Sequence, residues 1–294
     1  MKKYDFIFTI TKKCNYQCSY CNFKKNKNEL QGDDVGGIID FLNTNHEKIH
    51  SFKFFWWEPL IRFDQIKNIL DAMIFSERIF EIVTNFSLIN DEILGYFDKF
   101  FGKISISVDN ENIFDFDSLK RLKKIRKDRI YFNIIFNPGY EKEGEYIFLR
   151  LYDLGYRNFN ILPVYYTKIW TKENLKNLSV IIKVILDLKK IDESLHLSWF
   201  QENQWKKTNL INEKLYIDTD LRVYFSDAVD TTVFSHLKKQ LYIWELKDVF
   251  KSRIDLEIFR KRFDTYWQIQ DKWDYLGLHK LMDYFSLYLN HPQL

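Results

Sequence analysis

The chain has 294 residues, of which 46% are hydrophobic and 29% charged, a balance that excludes a disordered or low-complexity protein and is ample for a large core. Its 44 basic and 41 acidic residues leave a formal net charge of +3, without the dense basic block of a dedicated nucleic-acid binder. The N-terminal apolar run is interrupted by Asp5, and the run from Val180 to Leu186 is short and broken by Lys183; neither reads as a signal or membrane-spanning segment, so a cytoplasmic protein is the expectation.

The first strand is predicted over Asp5 to Ile10, from its alternating apolar residues. Behind it, all three cysteines of the chain fall within eight residues, at Cys14, Cys18 and Cys21, too few and too clustered for a disulfide framework. Further strands are predicted over Ser51 to Trp56, Phe80 to Thr84, Lys103 to Val108, Arg129 to Phe136 and Asn158 to Pro163, with room for a helix between each pair. Phe63 to Phe75 carries Phe63, Ile66, Ile69 and Leu70 at helical spacing, and Gly144 to Leu154 ends on Gly155, a C-cap glycine. Six such βα units predict a parallel sheet, open or curled into a barrel, with function at the C-terminal ends of the strands.

From Lys172 the pattern changes. A helix over Asn174 to Lys190 leads to a hairpin, Lys214 to Ile217 and Arg222 to Phe225 about the turn Asp218-Thr219-Asp220, and helical spacing returns over Ile254 to Phe263 and Leu276 to Tyr288. No Pro/Gly/Ser linker separates the halves, so the second reads as a packed extension. The division expected is 1–171 for the barrel and 172–294 for a smaller α+β extension.

The cysteine triplet carries the chemistry. A CxxxCxxC loop can hold three irons of a cubane and leave the fourth iron without a protein ligand. Ferredoxin-type clusters take four cysteines, and structural zinc takes four N or S ligands, which here would recruit a histidine such as His46 or His50.

This arrangement resembles the radical S-adenosylmethionine (radical SAM) enzymes. The cysteine spacing, its place after an N-terminal strand and Tyr20 before the last cysteine match that superfamily. So does the order of weaker motifs behind it. Phe54-Phe55-Trp56-Trp57-Glu58-Pro59-Leu60 stands where the family has Gly-Gly-Glu-Pro. Thr84-Asn85-Phe86-Ser87-Leu88 is similar to its Thr-Asn-Gly stretch, and Ser105-Ile106-Ser107-Val108-Asp109 to its Ser-Ile-Asp. The resemblance spans roughly residues 5 to 165 and implies a partial (β/α)6 TIM-like barrel. It implies a [4Fe-4S] cluster on Cys14, Cys18 and Cys21, with S-adenosylmethionine (SAM) chelating the open iron. An injected electron, from a donor such as flavodoxin or ferredoxin, then splits SAM into methionine and a 5'-deoxyadenosyl radical that abstracts hydrogen from substrate. By the same resemblance Tyr20 lies along the adenine, Glu58 belongs to the methionine-amino site, Ser107 and Asp109 line the ribose side, and Trp57 is a further cofactor-binding residue.

The family's two glycines are Trp56 and Trp57 here, and strand alternation would send one indole into the barrel and the other outward. Phe86 likewise stands for a glycine.

The C-terminal hairpin and Trp244-Glu-Leu-Lys-Asp248 resemble the SPASM or twitch extensions of many radical SAM enzymes, which bind auxiliary clusters through cysteines. Here Phe225 and Ser226 stand in that neighbourhood. If the resemblance holds, no auxiliary cluster and no thiol hydrogen donor is available. That leaves rearrangement, elimination, carbon-carbon bond formation or electron return to the one cluster, with tyrosine as the remaining hydrogen donor.

The substrate implied is a peptide undergoing modification, or a small metabolite such as a sugar or amino acid. A glycyl-radical activase and a non-enzymatic, zinc-stabilised or degenerate barrel are the other readings. Lys12, Lys13, Lys24, Lys25 and Lys27 either dock an acidic electron donor or solvate a loop. Trp199, Trp205, Trp267 and Trp273 line an apolar substrate site or pack the core, and His196, His236 and His279 lack metal spacing.

Overall fold

The computed structural model describes residues 3–21, 23, 25–110, 116–164, 170–197, 214–224, 230 and 235–249. The helices expected over Ile254 to Phe263 and Leu276 to Tyr288 lie outside these residues, as do Lys24, Phe225, Ser226, His279 and the four tryptophans Trp199, Trp205, Trp267 and Trp273.

Seven strands run parallel in chain order: β1 (Tyr4–Phe8), β2 (Ile49–Phe54), β3 (Phe80–Thr84), β4 (Phe101–Val108), β5 (Ile130–Phe136), β6 (Asn158–Pro163) and the short β7 (His196–Leu197). Helices α1 (Gly32–Asn45), α2 (Phe63–Asp71), α3 (Asp91–Phe100), α4 (Glu141–Asp153) and α5 (Lys172–Ile191) occupy the connections. Only the passage from β4 to β5 differs, with 3-10 turns at Phe116–Lys124 and Lys127–Arg129 instead of an α-helix among the described residues. The sheet continues on the other side of β1 through β8 (Lys214–Ile217), β9 (Arg222–Tyr224) and β10 (Tyr242–Glu245), the last two antiparallel. Its order is open, β10-β9-β8-β1-β2-β3-β4-β5-β6-β7, the expected partial barrel. The C-terminal hairpin is thus a continuation of the barrel sheet, β8 lying parallel to β1.

The two faces of the sheet differ. Phe6, Phe8, Phe52, Phe54, Phe132 and Phe159 are fully buried and meet the helices. Phe6 stacks edge-on against Phe41 of α1 at 5.3 Å, and Phe159 lies 4.8 Å from Phe148 of α4. This layer accounts for the phenylalanine-rich composition, since edge and offset contacts between rings fill the helix-sheet space. The alternate residues face the concave side and mix apolar side chains such as Ile7, Val83 and Ile135 with polar ones. Lys53 pairs with Glu81 at 2.9 Å, and Asn160 donates to Asn133 at 2.6 Å. Parallel strands read as continuous apolar runs when both faces are buried; here one face covers the core and the other, of mixed character, places these polar groups in the lumen.

Helix ends follow local chemistry. Thr171 and Asn174 form a capping box at the start of α5, and Gly155, φ 83°, follows α4 as the expected left-handed glycine. The start of α5 falls two residues earlier than apolar spacing alone suggests, because Thr171 supplies the cap.

β4 begins beside Gly102, where an added Cβ would meet the Arg78 carbonyl oxygen at 2.5 Å. Backbone cannot step aside as a side chain can, so Gly102→Ala should cost about 2 kcal/mol despite the better strand propensity of alanine. Denaturant unfolding checks this; a variant as stable as the parent would show that the strand edge relaxes freely.

Candidate active site

Because the sheet is parallel, the loops after β1, β2, β3 and β4 emerge at one end. The cysteine loop leaves β1 and is closed at its base by backbone pairing. Leu30 N donates to the Ile10 carbonyl at 2.8 Å, Lys12 N to that of Asn28 at 2.7 Å, and Thr11 bridges Glu29. The side chains add Lys13 to Glu29 at 2.9 Å and Arg62 to Glu29 at 3.1 Å. Within the loop, Cys21 N donates to the Cys18 carbonyl at 3.1 Å. Asn15, the residue after Cys14, is stapled to the loop after β3: its amide donates to Ser87 Oγ at 2.8 Å, and it accepts from the Asn85 amide at 2.9 Å.

The three cysteines form no disulfide and are half-buried. Burial pushes the Cys14 and Cys21 thiols up, against the lowering effect of backbone hydrogen bonds and Lys25. Among the described residues no three His, Cys, Asp or Glu side chains converge on a point for a single ion. A polynuclear cluster instead takes each thiolate on a different iron. His46 packs on Phe75 and His50 binds Asp5 at 2.8 Å. Both precede or begin β2, so the strand separates them from the cysteine loop by roughly 13 Å at the ~3.3 Å rise per residue. Neither can complete a zinc site there, so a Cys3His site cannot draw on His46 or His50. The donor set present, three thiols and neither of these imidazoles, fits a cluster with one open iron.

Glu58 is the centre of the site. Its carboxyl is fully buried and accepts three hydrogen bonds: from Leu60 N at 3.0 Å and Thr84 Oγ1 at 2.8 Å on one oxygen, and from Asn85 N at 2.7 Å on the other. Its own N–H donates to the Lys13 carbonyl at 3.1 Å. One residue therefore joins the loops after β1, β2 and β3. A carboxylate offers about four acceptor positions, and the position left over is on the oxygen facing Asn85. Burial outweighs the three donors and raises this carboxyl to about 7.

The second strand ends at Phe54, two residues short of the sequence expectation. Trp56 and Trp57 adopt φ of 71° and 50°, and Phe86 one of 66°. The strand-alternation argument for the two indoles therefore fails, because the backbone has already left the strand. All three positions hold the left-handed conformation that glycine favours, at a cost of roughly 1 to 2 kcal/mol each for a residue with a Cβ. The chain holds this glycine-favoured backbone shape with three aromatic residues. Trp56 stacks on Phe23 at 3.9 Å and on Phe55 at 3.9 Å, and Trp57 meets Phe23 edge-on at 5.6 Å. These contacts offset the strain, and both indole N–H groups are buried without an acceptor among the described residues.

Tyr20 and Asp109, expected along the adenine and on the ribose side of the cofactor site, are joined directly: the Tyr20 hydroxyl donates to the Asp109 carboxylate. Burial first, then Asp109 and Cys18, hold the phenol protonated well above its ordinary range. This bond ties the cysteine loop to the end of β4. Ser107 lies within β4, in the lumen, and accepts from Asn133 at 3.4 Å. Sequence reasoning misses Asn133, and Asn15 and Asn85 as partners, because nothing in local patterning marks an asparagine as a cross-loop staple. Of the flanking lysines, Lys13 is ion-paired, Lys25 donates to the Tyr16 carbonyl and Lys27 is exposed. Lys12 is buried and bound to Asp218 and Asp230, so it is neither a docking nor a solvating residue. His196 and His236 are exposed.

No protein-family model and no curated protein sequence matches the chain. Solved structures do. Hexahistidine-tagged anSMEcpe with bound AdoMet superposes with a TM-score of 0.60 at 13% identity, over 88% of this chain and 82% of that one. Native anSMEcpe with bound AdoMet and Kp18Cys peptide gives 0.60 at 11%, over 89% and 82%. Streptococcus suis SuiB bound to precursor peptide SuiA gives 0.54 at 16%, over 86% and 67%. These neighbours are radical SAM enzymes, and the chain shares their partial-barrel fold.

The Glu58 carboxyl makes a signed prediction. Its folded pKa of about 7 exceeds the unfolded value, so the folded state holds the extra proton and loses stability as pH rises through that window. Relative to Glu58→Gln, the iron-free parent should lose roughly 3 kcal/mol between about pH 4.5 and about pH 8. Parallel stability curves for the two proteins would remove Glu58 as a strained acid.

Proposed function

We propose that the chain is a radical SAM enzyme that modifies a peptide. The observation that carries the reading is the position of the CxxxCxxC loop. It lies across the ends of β1 to β4, bound to them through Glu58, Asn15 and Tyr20, in a fold shared with proteins that have AdoMet bound. Cys14, Cys18 and Cys21 would hold a [4Fe-4S] cluster. Tyr20, Trp57, Glu58, Ser107 and Asp109 would surround SAM. Two of the neighbours are bound to peptides, which favours a peptide over a small metabolite as substrate. An electron donor of the flavodoxin or ferredoxin class would supply the reducing electron.

Cluster and SAM, when bound, supply the reaction itself, reductive cleavage to methionine and a 5'-deoxyadenosyl radical that takes hydrogen from the substrate. The chain holds, orients and excludes water. Glu58 keeps the loops after β1, β2 and β3 in one arrangement, and its remaining acceptor position suits an ammonium group such as that of SAM. An arriving cation would also favour the ionised form of this carboxyl. The Tyr20–Asp109 bond closes the cysteine loop towards β4, and Ser107, Asn133 and Asn160 give the lumen amide and hydroxyl partners for a polar substrate. Residues 172–294 are read as a twitch-like extension without an auxiliary cluster, its hairpin built onto β1.

Anaerobic reconstitution followed by dithionite and SAM should release 5'-deoxyadenosine, and Cys18→Ala should lose both the iron and the product. Iron retained in full by Cys18→Ala, or stoichiometric zinc without iron, would refute the ligand assignment. Deuterium transfer into 5'-deoxyadenosine from a labelled peptide, and not from labelled sugars or amino acids, would select the substrate class.

A further inference from the structure

Beside the cysteine loop lies a buried ion cluster that the proposed chemistry does not use. Lys12, 4% exposed, has its ammonium 2.7 Å from Asp218 Oδ1 and 2.8 Å from Asp230 Oδ1. Asp218, 2% exposed, also contacts the Lys238 ammonium, which lies 3.5 Å from Asp230. The buried Tyr216 hydroxyl donates to Asp230 and accepts from the Thr9 hydroxyl at 3.1 Å. Two ammonium groups meet two carboxylates, so the cluster is neutral. Its members come from the base of the cysteine loop, the β8–β9 hairpin, the segment holding Asp230 and the short helix α6 (Lys238–Leu241).

Lys12 is where this cluster touches the site. Its backbone N–H and carbonyl pair with Asn28 and Asn26, its neighbour Lys13 accepts from Glu58 N, and its ammonium lies 5.5 Å from the Trp57 ring centroid. Two residues further on is Cys14. Buried ion pairs contribute little stability over apolar packing of the same volume, but they punish any arrangement that separates the charges. Such a cluster therefore fixes relative position more than it adds to stability.

We propose that Lys12, Asp218, Asp230 and Lys238 are positioning residues: a clamp through which the C-terminal hairpin sets the conformation of the cysteine loop. The proposal rests on the functional reading above only in naming the thiols as cluster ligands. It makes the C-terminal section a determinant of how Cys14 is presented, acting through Lys12 and not through a direct contact of Asp218, Asp230 or Lys238 with the thiols.

The test compares the parent, Lys12→Met and Lys12→Met combined with Asp218→Asn. In the double variant Lys238 still faces Asp230, so the buried charge again sums to zero and the unfolding midpoint should return close to the parent's. The tie to the loop is nonetheless gone. Alkylation of Cys14 in the iron-free proteins, measured by peptide mass spectrometry where all three retain native circular dichroism, should be about tenfold faster in both variants, as expected for local opening without global unfolding. The reconstituted variants should also lose iron to a chelator faster than the parent. A Cys14 alkylation rate in the double variant within about twofold of the parent, at native circular dichroism, overturns the clamp. If the parent binds no iron, the radical SAM reading fails while the alkylation comparison still decides the clamp.

Discussion

A single buried carboxyl, that of Glu58, joins three loops distant in sequence. Its side chain accepts from Leu60, Thr84 and Asn85, and its backbone N–H donates to Lys13. Without it the loops after β1, β2 and β3 would depend on their shared sheet and the Asn15 staple. The donors alone do not make this carboxyl comfortable, since burial still lifts it to about 7. A buried acid held by three donors, with one acceptor position left, is poised to be relieved by a cation, and perturbed acids of this kind gather at functional sites.

Strain and charge surround that carboxyl in the same few residues. Trp56, Trp57 and Phe86 all sit at positive φ, a local cost that persists only where surrounding structure demands the shape. Phe23 and Phe55 provide the stacking that holds the two indoles there. Lys12, behind Trp57, ties the loop base to a hairpin more than two hundred residues away. The cysteine loop is therefore constrained from the β2 and β3 loops, from β4 through Tyr20 and Asp109, and from the C-terminal hairpin. A loop held on every side is what a site needs when its ligands must be presented in one fixed arrangement.

Much of this is legible in the sequence, for reasons that also explain what is not. Phe80–Thr84 and Asn158–Pro163 match the sequence expectation to the residue, because β-branched and aromatic runs between turn residues leave little choice. The Lys214–Ile217 strand and its Asp218-Thr219-Asp220 turn are equally plain, though the parallel partner β1 is not, since pairing across the whole chain leaves no local trace. The same aromatic propensity misleads at the end of β2. Phe55, Trp56 and Trp57 look like strand, and only glycine would have announced the left-handed turn. The Lys12 cluster is invisible because its partners, Asp218 and Asp230, are 206 and 218 residues away. Between β4 and β5, 3-10 turns stand where an α-helix is expected.

The central claim is that Cys14, Cys18 and Cys21 present a cluster with an open iron to SAM. The most direct measurement is the electron paramagnetic resonance spectrum of the reconstituted, reduced protein before and after SAM is added. The account predicts the signal of one reduced [4Fe-4S] cluster whose g-values shift on SAM addition, as expected when a ligand reaches the open iron. A spectrum unchanged by saturating SAM, or a protein that takes up no iron, would contradict it.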